Sequence, residues 1–279
     1  MLPNHLIIGA IKSGTTTLAT LLRQHPEVFV TDPKELHFFN REENYAKGIG
    51  WYESHFAGAE GRKVVMEATP NYSALRTHPE TLDRIAAHLP QVRLIYIVRE
   101  PIERIRSHWY FLYGTGVETK PFERALREEP IYLDASRYFE HTEAMRARLG
   151  ADRLRVMFLD DFTADPAGEM ARLCRWLGVD DRFEFENVDV PRNAMAAAGL
   201  FRRAARVPGF VPMKNAVPIR ARRFIRERIL KKIERRPPWP ADLLSWVRQE
   251  IGPDTARFLA REGKPEGFWP APGLAAAAS

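Results

Sequence analysis

Four residues sit where side-chain chemistry could be done: Lys12, Glu67, Arg99 and Ser107. Lys12 belongs to the stretch Leu6 to Leu22, an apolar run followed by the turn Gly9-Ala10-Ile11-Lys12-Ser13-Gly14 and then by Thr15, Thr16 and Thr17. A strand that enters a helix through such a turn forms an anion cradle. Glycine lets the backbone approach the ligand, and the first N–H groups of the helix, with its dipole, favour negative charge. The order differs from the nucleotide-triphosphatase pattern G-x-x-x-x-G-K-[ST], because Thr15 stands where that pattern has its lysine and Lys12 precedes the second glycine.

Arg99 follows Leu94 to Val98, an apolar run of strand length. Pro101 then opens a helical pattern, Ile102, Ile105, Trp109 and Leu112, that carries Ser107. A guanidinium fork binds a phosphate through two oxygens, and a hydroxyl can donate to another. In an open parallel sheet, ligands bind beyond the carboxyl ends of the strands, so Lys12 and Arg99 are expected to share one crevice. Glu67 ends the apolar strand Val64 to Met66 at that same edge. It is placed either to take a proton or to cap the turn that follows.

Four segments together resemble the sulfotransferases that use 3′-phosphoadenosine 5′-phosphosulfate (PAPS), above all the branch of the heparan sulfate N- and O-sulfotransferases and their bacterial relatives. They are Ile8 to Thr16, Lys34-Glu35-Leu36-His37-Phe38-Phe39, Glu67-Ala68-Thr69-Pro70-Asn71-Tyr72, and Val98-Arg99-Glu100-Pro101 with Ser107. With Asp134 to Tyr138 and Val156 to Gly178, the resemblance covers roughly residues 6 to 178.

The resemblance implies that Lys12, Ser13, Gly14, Thr15, Thr16 and Thr17 hold the 5′-phosphosulfate. Arg99 and Ser107 would hold the 3′-phosphate, and adenosine 3′,5′-bisphosphate would be the product. Lys12 would also face the bridging oxygen, where charge grows as sulfur departs. The resemblance further implies that Glu67 is the base and that no metal is required. His37 assists the base or touches the acceptor, or else it is a packed core histidine beside Phe38 and Phe39. Many glycan-modifying relatives carry a lysine after the base glutamate, whereas this chain has Ala68, so acceptor binding is expected to differ.

These residues need a frame. Strands are expected at Val28 to Val30, Val64 to Met66, Leu94 to Val98 and Leu154 to Leu159, beside the one that starts near Leu6. Helices are expected at Leu18 to Leu22, Leu82 to Leu89, Ile102 to Leu112, Tyr138 to Leu149 and Met170 to Leu177. Alternation of this kind predicts an α/β protein, a P-loop-like three-layer sandwich with a central, mainly parallel sheet. The 279 residues suffice for one domain over 1–279. The lone cysteine, Cys174, falls on an apolar stripe with Met170, Leu173 and Leu177 and reads as core.

The formal charge of +6 is concentrated in residues 202–236, where thirteen Lys and Arg face only Glu227 and Glu234. Pro208, Pro212 and Pro218 make the approach loop-like, within a basic segment at about 200–238. Ile219, Phe224, Ile225, Ile229, Leu230 and Ile233 then give residues 220–236 the pattern of a basic amphipathic helix. That helix is a solvated face, an attractor for an acidic partner, or a surface for a membrane near a lipid-linked acceptor. The N-terminal apolar run is short and lacks preceding basic residues, so it reads as neither signal peptide nor membrane span. A cytoplasmic bacterial enzyme, peripheral to the membrane if the helix binds lipid, is the resulting expectation.

The alternative from another class is a P-loop kinase or nucleoside-triphosphatase, which needs Mg²⁺ held by a loop hydroxyl and a strand-end aspartate. Here the neighbouring strands end in Arg99 or Glu67. Nucleic-acid binding is not expected, since no recognition module accompanies the basic segment. The acceptor stays open among sugar hydroxyls, amino sugars, lipid-linked glycans and natural-product hydroxyls.

Overall fold

A computed structural model describes residues 1–188 and 237–269. The basic segment 202–236 lies outside the described residues. Five strands, β1 (His5–Gly9), β2 (Val28–Val30), β3 (Val64–Ala68), β4 (Arg93–Val98) and β5 (Leu154–Phe158), form one sheet in the order β2-β3-β1-β4-β5. Every pairing is parallel. The central β1 sets Leu6 beside Glu67 and Leu94, and Ile7 beside Ala68 and Ile95. All the loops that leave the strands' carboxyl ends therefore emerge along one edge, with the loop of β1 between those of β3 and β4.

Both faces of the sheet are covered, which is why the strands are apolar throughout rather than alternating with polar residues. Leu6, Ile8, Leu94, Tyr96 and Val98 point to one face, and Ile7, Val64, Met66, Ile95 and Ile97 to the other. The described helices are α1 (Thr15–Leu22), α2 (Glu42–Tyr45), α3 (Gly48–Ser54), α4 (Thr81–His88), α5 (Pro101–Gly114), α6 (Phe122–Glu128), α7 (Ile131–Asp134), α8 (Tyr138–Leu149), α9 (Leu159–Ala164), α10 (Pro166–Leu177) and α11 (Ala241–Arg261). Side chains of α3, α4, α8 and α11 pack on the Leu6 face, and those of α1, α9 and α10 on the Ile7 face. Cys174 is buried in the second layer, as its stripe predicts.

The strands match the sequence expectation closely, with two differences at the edges. Leu159 opens α9 instead of closing β5, and β3 runs past Met66 to Ala68. Glu67 therefore sits inside a strand, paired alongside Leu6, and not at its tip. The long α11 went unpredicted, although Leu243, Val247, Ile251 and Phe258 repeat at helical spacing and are buried. Among the described residues, no helix is long and apolar enough to cross a membrane.

Candidate active site

The loop between β1 and α1 is shaped by its own residues. A Cβ on Gly9 would collide with Ser73 Oγ and with the Tyr96 ring, so this glycine is demanded by packing beneath the loop. Sequence alone suggests only ligand approach for this glycine. Gly14 has φ 96° and is the N-cap of α1 without a side-chain cap, which leaves the first N–H groups of the helix with no capping oxygen. Lys12 has φ 66°, an uncommon conformation for a residue with a Cβ. Its ammonium lies 4.0 Å above the centre of the Phe111 ring of α5. Ser13 and Thr15 are buried, and Thr16 is exposed.

Arg99 leaves β4 directly, and its guanidinium approaches Glu103 at 4.0 Å. Glu100 caps α5 by accepting from Ile102 N (3.0 Å) and Glu103 N (2.6 Å), with Pro101 in the first turn. Arg104, Ser107, His108 and Phe111 occupy i, i+3, i+4 and i+7 on that helix, and the first three are buried. This polar buried stripe is a signal that the sequence contained and the apolar pattern concealed. Arg104 is fully enclosed and donates to Ser136 Oγ (2.6 Å), to the Tyr132 carbonyl and to the Ile11 carbonyl (3.4 Å), so it fastens α5 to the lysine loop. Burial, with Arg104 and Lys12 nearby, pushes His108 well below its usual pKa and keeps it neutral. A cavity of about 450 Å³ lies between the first turn of α5 and α11, with Glu100, Ile102, Thr255, Lys264 and Trp269 among its walls, and Lys12, Arg99 and Ser107 do not line it.

The third component is the segment from Lys34 to Asn40. Lys34 Nζ donates to Thr15 Oγ1 (3.4 Å) and to Glu35 Oε1 (2.8 Å), which ties the segment to the start of α1. Glu35 keeps 42% of its side chain exposed, and its Oε2 lies 3.6 Å from His37 Nε2. Partial burial raises its pKa, but hydrogen bonding to His37 and the charge of Lys34 outweigh this and bring it down to about 2. His37 is mostly buried, with Nδ1 3.2 Å from Asn40 Oδ1.

Glu67 has the opposite environment. None of its surface is exposed, and its carboxylate receives the hydroxyls of Tyr52 (3.1 Å), Thr69 (3.2 Å) and Tyr72 and the Leu36 N–H. An ionised carboxylate offers about four lone-pair positions. All are taken. Burial nonetheless pushes its pKa up to about 7, from an ordinary value of 4.5. The folded form then holds this proton more tightly than the unfolded chain, so the stabilisation is complete below about pH 4.5 and is lost as pH rises through about 7, on the order of 3 kcal/mol in all. Glu67→Gln removes that titration. Its stability relative to the wild type should improve by about 3 kcal/mol between pH 4.5 and 8 in urea unfolding. A difference that stays flat with pH would show that this carboxyl titrates normally.

The structure thus gathers the loop with Lys12, the helix with Ser107 and the Lys34–Asn40 segment at one edge of the sheet, with Arg99 at the start of the helix. Lys34, Glu35 and Arg104 were missed as individual functional candidates. The lysine loop after β1 and Arg99 directly after the adjoining β4 thus put two cationic side chains at the carboxyl edge of the sheet, where open parallel sheets bind their ligands.

The chain belongs to the sulfotransferase family: the sulfotransferase domain model matches residues 2–189. A membrane-associated sulfotransferase, kil1, from Dictyostelium discoideum is 40% identical over 113 residues, which is 39% of this chain and 23% of that protein. The heparan sulfate glucosamine 3-O-sulfotransferase 3B1 of Mus musculus is 30% identical over 187 residues, 64% of this chain and 46% of that one. The chain spans at most about half the length of these two relatives. A sulfotransferase from Alicyclobacillus acidocaldarius has the same fold, with a TM-score of 0.69, 21% identity, and coverage of 95% of this chain and 97% of the other.

Proposed function

We propose that the protein transfers a sulfuryl group from PAPS to a hydroxyl or amine of a glycan or glycoconjugate by in-line displacement, without a metal. The observation that carries this reading is the placement of the Lys12 loop, whose helix lacks a side-chain cap, next to Arg99, which directly follows the adjoining strand β4. The residues fit such a donor. Uncapped N–H groups and Lys12 suit the 5′-phosphosulfate, and Arg99 and Ser107 suit the 3′-phosphate. PAPS supplies an activated sulfuryl group. Lys12 stabilises the charge left on the departing 5′-phosphate, and the acceptor's proton passes to a carboxylate of the site as its oxygen or nitrogen bonds to sulfur.

We assign that proton to Glu35, oriented by His37, and not to Glu67. Exposure supports this choice, because the Glu35 side chain is 42% exposed whereas Glu67 is fully enclosed and already accepts from Tyr52 and Thr69. The same enclosure disfavours the kinase alternative, since Glu67 cannot reach a bound Mg²⁺. A glycan acceptor is supported by the relatives named for heparan sulfate glucosamine 3-O-sulfation, and Ala68 argues for acceptor contacts of its own. Within this reading the enzyme works in the cytoplasm, and the basic residues 202–236 attract an acidic acceptor or an anionic membrane.

Calorimetry with adenosine 3′,5′-bisphosphate tests the proposal. Arg99→Ala should weaken that ligand by about 1.5 to 3 kcal/mol, the scale of a charged hydrogen bond, and adenosine 5′-phosphate much less. Equal losses would remove Arg99 from the 3′-phosphate. Preference of the wild type for ATP with Mg²⁺ would reinstate the kinase reading.

A further inference from the structure

The strand-borne Glu67 is left without a role once the proton passes to Glu35, and a fully buried carboxylate is costly unless its oxygens are hydrogen-bonded. What it does is visible in its hydrogen bonds. The Leu36 N–H donates to Glu67 directly. The His37 N–H donates to Thr69 Oγ1 (3.3 Å), whose hydroxyl in turn donates to Glu67. The N–H groups of Phe38 (2.9 Å) and Phe39 (3.4 Å) both donate to the Tyr72 hydroxyl, which also donates to Glu67. Four consecutive backbone amides, 36 to 39, therefore converge on one carboxylate, directly or through one hydroxyl. At the start of the segment, the Lys34 carbonyl accepts from Ala68 N (3.3 Å).

This convergence explains a second observation. His37 has φ 52°, the left-handed region that a residue with a side chain enters only when its surroundings hold it there. The amides on both sides of His37 are tied to the same carboxylate, and that left-handed bend is where the segment turns its imidazole toward Glu35. Tyr52 closes the set from α3 by donating to Glu67 Oε1. Its ring also stacks on Phe38 with centroids 4.7 Å apart, so the same tyrosine fixes both the carboxylate and the segment that hangs from it.

We propose that Glu67 is a positioning residue, which acts through Thr69 and Tyr72 to hold the backbone of residues 36–39 and so to set the Glu35–His37 pair. This rests on the sulfotransferase reading for its consequence, but the placement itself can be tested without donor or acceptor. The decisive variant is Tyr72→Phe, which keeps the ring in the core and deletes only the shared hydroxyl, with Glu67→Gln as its companion.

Amide hydrogen exchange should show protection at Phe38 and Phe39 falling at least tenfold in Tyr72→Phe while β1 and β4 keep theirs. The NMR signals of the His37 ring give the second readout. In the wild type, Glu35→Gln should shift them, and in the Tyr72→Phe background the same substitution should shift them far less, because the pair has separated. Affinity for adenosine 3′,5′-bisphosphate should stay within twofold, since none of these groups lies in the phosphate loop. Unchanged protection at 38 and 39 overturns the proposal, as does an undiminished Glu35-dependent shift in the Tyr72→Phe background. Failure of the wild type to bind adenosine 3′,5′-bisphosphate would instead overturn the sulfotransferase reading and leave the positioning result standing.

Discussion

Glu35→Gln should lower single-turnover sulfuryl transfer by about 10²- to 10⁴-fold, the range expected for loss of a general base, with affinity for adenosine 3′,5′-bisphosphate nearly intact. The amide keeps the shape of the side chain but cannot take the acceptor's proton. Two features of the site make the loss specific. Glu35 is the carboxylate with open surface, and Lys34, its ion-pair partner, also reaches Thr15 at the start of the phosphate-loop helix. A carboxyl held down to about 2 is ionised at every pH where the fold is expected to survive, so the transfer rate should show no titration of this group near neutral pH. Glu67→Gln should cost much less turnover than Glu35→Gln, since it loosens a support and does not remove the acceptor of the proton. The opposite ranking in rapid-quench measurements would return the base to Glu67.

The frame was legible because a parallel sheet covered on both faces writes its strands as unbroken apolar runs, and Leu94 to Val98 is buried along its length. The lysine loop was legible because Gly14 must adopt a positive φ and Lys12 stands beside it. The choice between Glu35 and Glu67 was not. Sequence shows both as acids near a strand or turn, and a strand-end acid is the better general guess. Which one is enclosed depends on Tyr52 and Thr69 together with Tyr72, and Tyr52 lies on a short helix with no strong periodicity of its own. Arg104 was hidden for a related reason. It lies beside the apolar stripe of α5, and a charged residue there reads as solvated until the neighbouring loop covers it. The α11 helix was obscured by Pro253 in its interior, which ordinarily ends a helical pattern.

Lys12→Met carries the other large expected effect. Methionine preserves the length and the contact with Phe111 but removes the charge, so ground-state packing of the loop should survive. The ammonium is worth most where negative charge grows on the leaving oxygen, and removing one such preorganised group ordinarily costs about 10²- to 10³-fold in turnover. Binding of adenosine 3′,5′-bisphosphate should weaken by less than the transfer rate falls, because the uncapped N–H groups of α1 and the guanidinium of Arg99 remain. The left-handed backbone of Lys12 is held from below, where Arg104 grips the carbonyl of Ile11, and that grip does not depend on the side chain that is changed. Calorimetry and rapid-quench kinetics on the same preparation separate the two quantities. If affinity and rate fall by the same factor, Lys12 binds donor and transition state alike, and its role is to hold the 5′-phosphate and not to stabilise its departure.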